Sequence, residues 1–255
     1  NYKLHKVLIK YKNMTDFLNS FQIEEKLTPD DIECKNQVFD VNFHPHAQFL
    51  AVGLVDGEVD IFKYGFETDE NVLMAESKHH TSSCRGVLFN STGDQLYTIS
   101  SDKSIVTLDA NGKIASTISK AHTKPINKMV LCDENMISTA DDSGCVKLWD
   151  MRQGNMSNSI TNTPIKSFNM HEDFVSDMIY NEHTHTLISV SGDMTLCAYD
   201  LRNCHNNSKD KAQRSDEQES ELNCVALIKN GRKVVTGSQD GTVLTFSFGK
   251  WGDCT

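Results

Sequence analysis

No run of 18 apolar residues occurs anywhere in the 255-residue chain, so a membrane-spanning helix is not expected. The first 30 residues lack the charged, then apolar, then small-residue order of a secretory signal, which leads to the expectation of a soluble chain in the cytosol or nucleus. A surplus of positive charge is missing too. With 25 basic against 35 acidic residues the net charge is -10, which argues against a broad cationic grip on nucleic acid and leaves room only for a local basic patch. The eight cysteines, at 34, 84, 132, 145, 197, 204, 224 and 254, contain no Cys-x-x-Cys pair; neither a zinc site nor a disulfide framework is read from them. Cys84, Cys145, Cys197 and Cys224 fall inside apolar runs and are expected as reduced, buried small hydrophobes. Finally, there is no Gly-x-Ser-x-Gly, His-Glu-x-x-His, Walker loop or clustered acid pair. No catalytic residue, metal ligand or cofactor is therefore assigned.

What the chain does have is 38% hydrophobic content, enough for a buried core, and a hidden period. The stretch DDSGCVKLWDMRQG contains Trp149, one of two tryptophans. Aligning on it brings out VDGEVDIFK, SDKSIVTLD, GDMTLCAYD and QDGTVLTFS. Each carries an aspartate (Asp56, Asp102, Asp142, Asp193, Asp240), a tight turn, and a short strand ending in Phe62, Leu108, Trp149, Tyr199 or Phe246. Those terminal residues step by 46, 41, 50 and 47. Upstream of each lies a second apolar run (49–54, 95–100, 136–140, 186–191, 233–237) and, before it, an alternating one (38–43, 84–89, 126–131, 175–180, 222–227). Runs rich in β-branched and aromatic residues between turn residues are strand signals. A fourth strand per unit is placed at 113–119 and 165–170, each just before a histidine.

Four antiparallel strands repeated at this period describe β-propeller blades. His80, His122 and His171 lie 22, 20 and 22 residues before Asp102, Asp142 and Asp193. A histidine opening the unit, an aspartate in the inner turn and a closing Trp-Asp resemble the WD40 repeat family. The resemblance implies that His80, Asp102, His122, Asp142, Trp149, His171, Asp193 and Asp240 belong to a structural hydrogen-bond network within the blades, with strand serines or threonines. The first and fifth units lack the histidine, so the network is expected to be incomplete there.

The fold expected is therefore all-β, a WD40-type propeller with about five visible four-stranded blades. At roughly 45 residues per blade a seven-blade ring needs about 315 residues, so an incomplete seven-blade ring is expected. Residues 1–35 read as an N-terminal extension with a natural start at Met14, where Phe17, Leu18 and Phe21 share one face of a short helix or a strand runs over 4–10. Residues 36–255 form the partial propeller. The charged stretch 203–221 reads as a polar loop or frayed outer strand, with a modifiable tail around Ser215 and Ser220 as the alternative.

More specific phrases are LTPDDIE, VNFHPHAQFLAVGLVDGEVDIFKY, HHTSSCRGVLFNSTG, KAHTKPINKMVLCDENMISTADDSGCVKLWDMR, HEDFVSDM, LISVSGDMTL and IKNGRKVVTGSQDGTV. Together, over roughly residues 27–250, they resemble the WD repeat-containing protein 55 family. That resemblance implies a non-enzymatic scaffold in the nucleus and nucleolus, with the cytoplasm as a further location. It would act in rRNA synthesis or processing and large-subunit assembly, with pre-ribosomal factors as partners and no small-molecule substrate. The WDMR phrase also resembles the WDxR docking box of cullin-4 ligase substrate receptors, echoed by YDLR; Arg152 and Arg202 are then the contacts to the ligase adaptor. For protein partners in general the second residue of each unit, Phe39, Arg85, Asn127, Ser176 and Asn223, is a candidate on the narrow face of the ring. Direct RNA contact, if any, falls to Lys78, His79, His80, Arg85 and the KAHTKPINK segment.

Overall fold

The computed structural model describes residues 31–65, 71–152, 163–203 and 212–254. The first blade comprises β1 (Val38–Phe43), β2 (Phe49–Leu54), β3 (Glu58–Lys63) and β4 (Val72–Lys78); the second β5 (Cys84–Phe89), β6 (Gln95–Ser100), β7 (Ile105–Asp109) and β8 (Ile114–Ile118). The third contains β9 (Ile126–Asp133), β10 (Met136–Asp141), β11 (Cys145–Asp150) and β12 (Lys166–Asn169). In the fourth are β13 (Val175–Asn181), β14 (Thr186–Ser191), β15 (Leu196–Asp200) and β16 (Ala212–Arg214), and in the fifth β17 (Leu222–Ile228), β18 (Lys233–Ser238), β19 (Val243–Ser247) and β20 (Lys250–Cys254). All five sheets are four-stranded antiparallel meanders. The expected start at Met14, the shared face of Phe17, Leu18 and Phe21, and the strand expected over 4–10 lie outside the described residues.

Two outer strands, β4 and β20, lie where the sequence gives no strand signal, and β16 is the short outer strand expected as one alternative for the segment 203–221. β4 presents little alternation because most of it touches solvent: Val72, Leu73 and Met74 are all exposed. Ser215, at the end of β16, is buried. Its hydroxyl accepts the Leu196 N–H at 2.9 Å and donates to the Asp216 carbonyl at 2.8 Å, which removes it from any accessible tail.

The core lies between blades rather than inside one. Ala51 and Val59 of blade one pack with Val87, Leu96, Val106 and Leu108 of blade two. The same arrangement recurs from blade two to three around Ile99, Ile137 and Trp149, from three to four around Leu148, Leu187 and Tyr199, and from four to five around Val190, Val234 and Phe246. Each such side chain, when fully buried, contributes about 1.5–3 kcal/mol. A satellite cluster on the other face of blade one joins Leu50, Val52, Leu54 and Phe62 with Ile32 and Cys34. Cys84 and Cys197 sit in these interfaces, and burial pushes both thiols up to about 12. Cys145 is half-buried, and Cys224 is exposed, contrary to its apolar sequence context, because its strand belongs to the last described blade.

Every innermost strand carries a β-bulge at its second residue. Val38 pairs with Leu54 and Asp40 with Gly53, leaving Phe39 as the extra residue. The same register shift isolates Arg85, Asn127, Ser176 and Asn223. A bulge turns the extra side chain away from the normal alternation and sharpens the local twist.

Candidate protein-interaction site

Two rims result from the meander. The starts of the inner strands and the turns between second and third strands share the upper rim, as in the bond from Asp142 N–H to the Pro125 carbonyl, 3.0 Å. The first hairpins and the ends of the third strands share the lower rim, where Met151 N–H reaches the Asn135 carbonyl at 2.8 Å.

Under the upper rim lies the histidine network, most complete in blade three. Trp149 Nε1–H donates to Thr139 Oγ1 at 2.8 Å, Thr139 lies 2.7 Å from His122 Nε2, and His122 Nδ1 lies 2.9 Å from Asp141. Burial lowers the His122 pKa against the pull of Asp141. Burial also works to raise the Asp141 carboxyl, yet the hydrogen bonds from His122 and Ser143 hold it below its ordinary value. Both shifts favour a neutral imidazole donating to a carboxylate, so every bond in the relay has one donor and one acceptor.

The partner is Asp141, not Asp142. Ile99 pairs with Ile105, Ala140 with Val146 and Val190 with Leu196, which aligns the three turns. Asp102 and Asp193 stand three residues after Ile99 and Val190, whereas the third residue after Ala140 is Ser143. In blade three the carboxylate comes instead from the strand end, and it also accepts the Ser143 and Cys145 N–H groups at 2.9 and 3.1 Å. Two adjacent aspartates cannot be told apart by spacing alone. Asp142 points to the upper rim, where it accepts from Asn127 and, at 3.4 Å, from Arg85.

In blade four His171 bridges Asp193 at 3.0 Å and Ser189 at 2.7 Å, with the Tyr199 hydroxyl 3.3 Å from Ser189. In blade two His80 lies 3.2 Å from Asp102 and 2.9 Å from Thr98. Leu108 offers no polar atom there, and His79 takes the extra place on Thr98 at 3.0 Å. Asp240 belongs to no such network among the described residues. It is exposed and accepts only from Thr242 in its own turn, 2.9 and 2.8 Å, because blade five supplies no histidine. Blade one uses Asn36, whose amide donates to Asp56 at 2.7 Å.

The bulge residues divide into two groups. Arg85 donates to Asn127 in the next blade, and Ser176 to the Leu222 carbonyl; with Asn127 on Asp142, these three side chains hold the upper rim together. Phe39 and Asn223, on the first and last described blades, are exposed. Of the residues expected to make a basic patch, Lys120 and Lys124 of KAHTKPINK are exposed and Lys128 pairs with Asp177 at 3.7 Å, while the other four are engaged within the blades. Lys78 is paired with Glu58 and Asp56, His80 is buried, Arg85 is spent on Asn127 and Asp142, and burial, with His80 beside it, lowers His79 to about 4.

On the lower rim Arg152 and Arg202 repeat one geometry 50 residues apart. Each guanidinium is clasped by the aspartate two residues before it: Arg152 Nε to Asp150 at 3.1 Å, Arg202 Nε to Asp200 at 2.8 Å. Both side chains remain 69% and 62% exposed, so their outer N–H groups face solvent.

One potential metal-ligand group occurs among the described residues, His122, Asp141 and Cys145, with ligand atoms within 4.8 Å of one another. Both imidazole nitrogens and both carboxylate oxygens are already used in the blade network. A metal there would have to dismantle it.

The family model described as WDR55 matches residues 29–255. WD repeat-containing protein 55 of Rattus norvegicus is 36% identical over 226 residues, 88% of this chain and 56% of that protein. The Arabidopsis thaliana protein of the same name is 35% identical, over 88% of this chain and 60% of that protein. The Dictyostelium discoideum homologue is 36% identical, over 88% and 51% respectively. The chain thus spans a little over half the length of these curated relatives. Among solved structures the WD40 β-propeller domain of Doa1 superposes with a TM-score of 0.67 at 20% identity, covering 85% of this chain and 66% of that one. Chaetomium thermophilum Sqt1 gives 0.70 at 15% identity, covering 84% and 58%. At those identities the likeness concerns the fold alone.

Proposed function

The chain belongs to the WDR55 family of WD40-repeat proteins, and from that membership we propose that it is a non-enzymatic protein-interaction scaffold in ribosome biogenesis. Its work would be in rRNA synthesis or processing on the large-subunit side, in the nucleus and nucleolus, with pre-ribosomal assembly factors as partners. The observation that carries the reading is the family match along residues 29–255. The described geometry agrees with a scaffold: His80, His122 and His171 are engaged with Asp102, Asp141 and Asp193 beneath the upper rim, and the rims themselves present varied side chains on a rigid frame. Affinity capture of the full-length protein followed by mass spectrometry tests it. Large-subunit precursor proteins are expected among the captured partners, and a capture free of them sinks the proposal.

A second reading, docking to the cullin-4 ligase adaptor, is favoured by the repeated Asp-x-Arg clasp on the lower rim. An aspartate-held guanidinium is preorganised for bidentate contact with a partner. Arg152→Ala with Arg202→Ala is expected to abolish adaptor capture and leave pre-ribosomal capture intact; adaptor capture unchanged in the double variant ends this reading.

A further inference from the structure

Between the first hairpins of blades four and five, on the lower rim, lies a cavity of about 510 Å³ lined by His183, Thr184, Asn230, Gly231, Arg232 and Phe248. Its frame is locked. Asn181, buried in the blade-four hairpin, donates to the Gly231 carbonyl at 3.1 Å and accepts the His183 N–H at 3.2 Å. The blade-five hairpin turns through Asn230 and Gly231, with φ of 55° and 74°, closed by Arg232 N–H to the Lys229 carbonyl at 3.3 Å. A Cβ on Gly231 would come within 2.6 Å of the Asn181 amide, so the close approach of the two hairpins requires glycine.

The wall chemistry is one-sided. Among the described residues the Arg232 guanidinium is exposed and has no ion pair or hydrogen bond, unlike Arg85, Arg152, Arg202 and Arg214. Lys229 and Lys233 flank it in the same hairpin, and Lys229–Lys233 contains no acid. The Thr184 hydroxyl has no partner, although buried polar atoms are normally satisfied. Phe248, packed edge-on against Trp251 at 5.2 Å, supplies a fixed apolar wall. In a chain of net charge -10, this is an open cationic recess with a guanidinium, an imidazole, an amide and a hydroxyl around one volume.

We propose that this cavity binds a phosphorylated serine or threonine side chain of a partner protein, with Arg232 as the bidentate contact to phosphate and Phe248 against the adjoining peptide. Phosphate offers three acceptor oxygens, which suits a planar fork together with smaller donors better than a single carboxylate does. The same volume is too short and too sparsely aromatic for a nucleic-acid track, which needs a continuous cationic groove with stacking platforms. The inference rests on the scaffold reading only in taking the ligand from a protein.

The test has two stages on the whole chain. Titration of isotope-labelled protein with inorganic phosphate should give saturable amide shifts confined to 183–184 and 230–232, absent in Arg232→Ala; no localised shift refutes the site. Retention is then measured on a peptide library fixed at a central phosphoserine or phosphothreonine, on its unphosphorylated twin and on an oligouridylate. The phosphorylated library should bind at least about tenfold tighter than the twin and lose about tenfold in Arg232→Ala, the weight of a charge-assisted pair. Lys113→Ala, exposed in the β7–β8 turn on the same rim and outside the cavity, should bind as the parent does. Equal retention of both libraries, or tighter binding of the oligouridylate, overturns the proposal. Neither stage depends on ribosomal partners, so the failure of this site and the failure of the ribosome-biogenesis reading are distinguishable.

Discussion

Removing the Asp141 side chain should unfold blade three far more readily than removing that of its neighbour Asp142. In Asp141→Ala the buried His122 loses the acceptor 2.9 Å from Nδ1, leaving an unsatisfied N–H that costs about 1–3 kcal/mol. The Ser143 and Cys145 N–H groups lose their acceptor as well, at about 0.5–1.5 kcal/mol each. Allowing for local relaxation and water entry, the sum is about 3 kcal/mol, or about 6–12 °C in Tm for a domain of this size. Asp142 is partly exposed and bonded only to Asn127 and Arg85, and its removal should cost below about 1 kcal/mol. Thermal unfolding followed by far-UV circular dichroism, with urea midpoints as a second measure, compares the two variants. Equal losses, or a larger loss in Asp142→Ala, would refute the assignment of the blade-three carboxylate.

Acid should loosen the fold in a defined window. His79, His80 and His122 have lowered pKa values in the folded state against about 6.5 unfolded, so below about pH 6.5 the unfolded chain takes up protons that the folded one refuses and stability falls with pH. Asp102, Asp141 and Asp193, held low in the fold, add stability that is complete above about pH 4 and is lost as pH drops through their folded values. Urea midpoints should therefore decline from pH 7 to pH 4.5, less steeply in His79→Gln; a flat profile contradicts the neutral-histidine network. Gly93→Ala should cost about 2–3 kcal/mol, since φ is +82° and the new Cβ would stand 2.2 Å from His44 Nε2, displacing its 3.0 Å bond to the Gly93 carbonyl. In a His44→Ala background the same change should cost clearly less, and strict additivity in denaturant melts would argue against the contact. Trp149→Phe keeps the apolar bulk and removes the N–H to Thr139; a loss of about 1 kcal/mol is expected, and a loss near zero in the same melts would make the tryptophan a space-filler only.

The three inner strands of each blade were legible because their β-branched and aromatic runs are bounded by turn residues, and β2, β6, β10 and β14 are buried almost throughout. The outer strands β4 and β20 were not, since most of their described side chains face solvent and only Trp251 of β20 is buried among them, and β16 was legible only as an alternative to a polar loop. The second residue of each unit stood out by its place in the repeat, but nothing in composition betrays a bulge; that requires the register Val38 to Leu54 and Asp40 to Gly53. The bulge is why Arg85, Asn127 and Ser176 hold blades together rather than standing free. Asp141 was hidden by an adjacent aspartate at nearly the same spacing. The cavity at Arg232 was invisible because His183 and Arg232 stand 49 residues apart and meet only when two hairpins are stacked side by side.

Sedimentation of the full-length protein from nuclear extract through a sucrose gradient separates a scaffold that works on ribosome precursors from a protein that does not. A fraction of the proposed scaffold is expected to co-migrate with large-subunit precursor particles and to shift to lighter fractions when rRNA synthesis is stopped. A protein found only at the top of the gradient, unmoved by that arrest, would contradict the scaffold proposal.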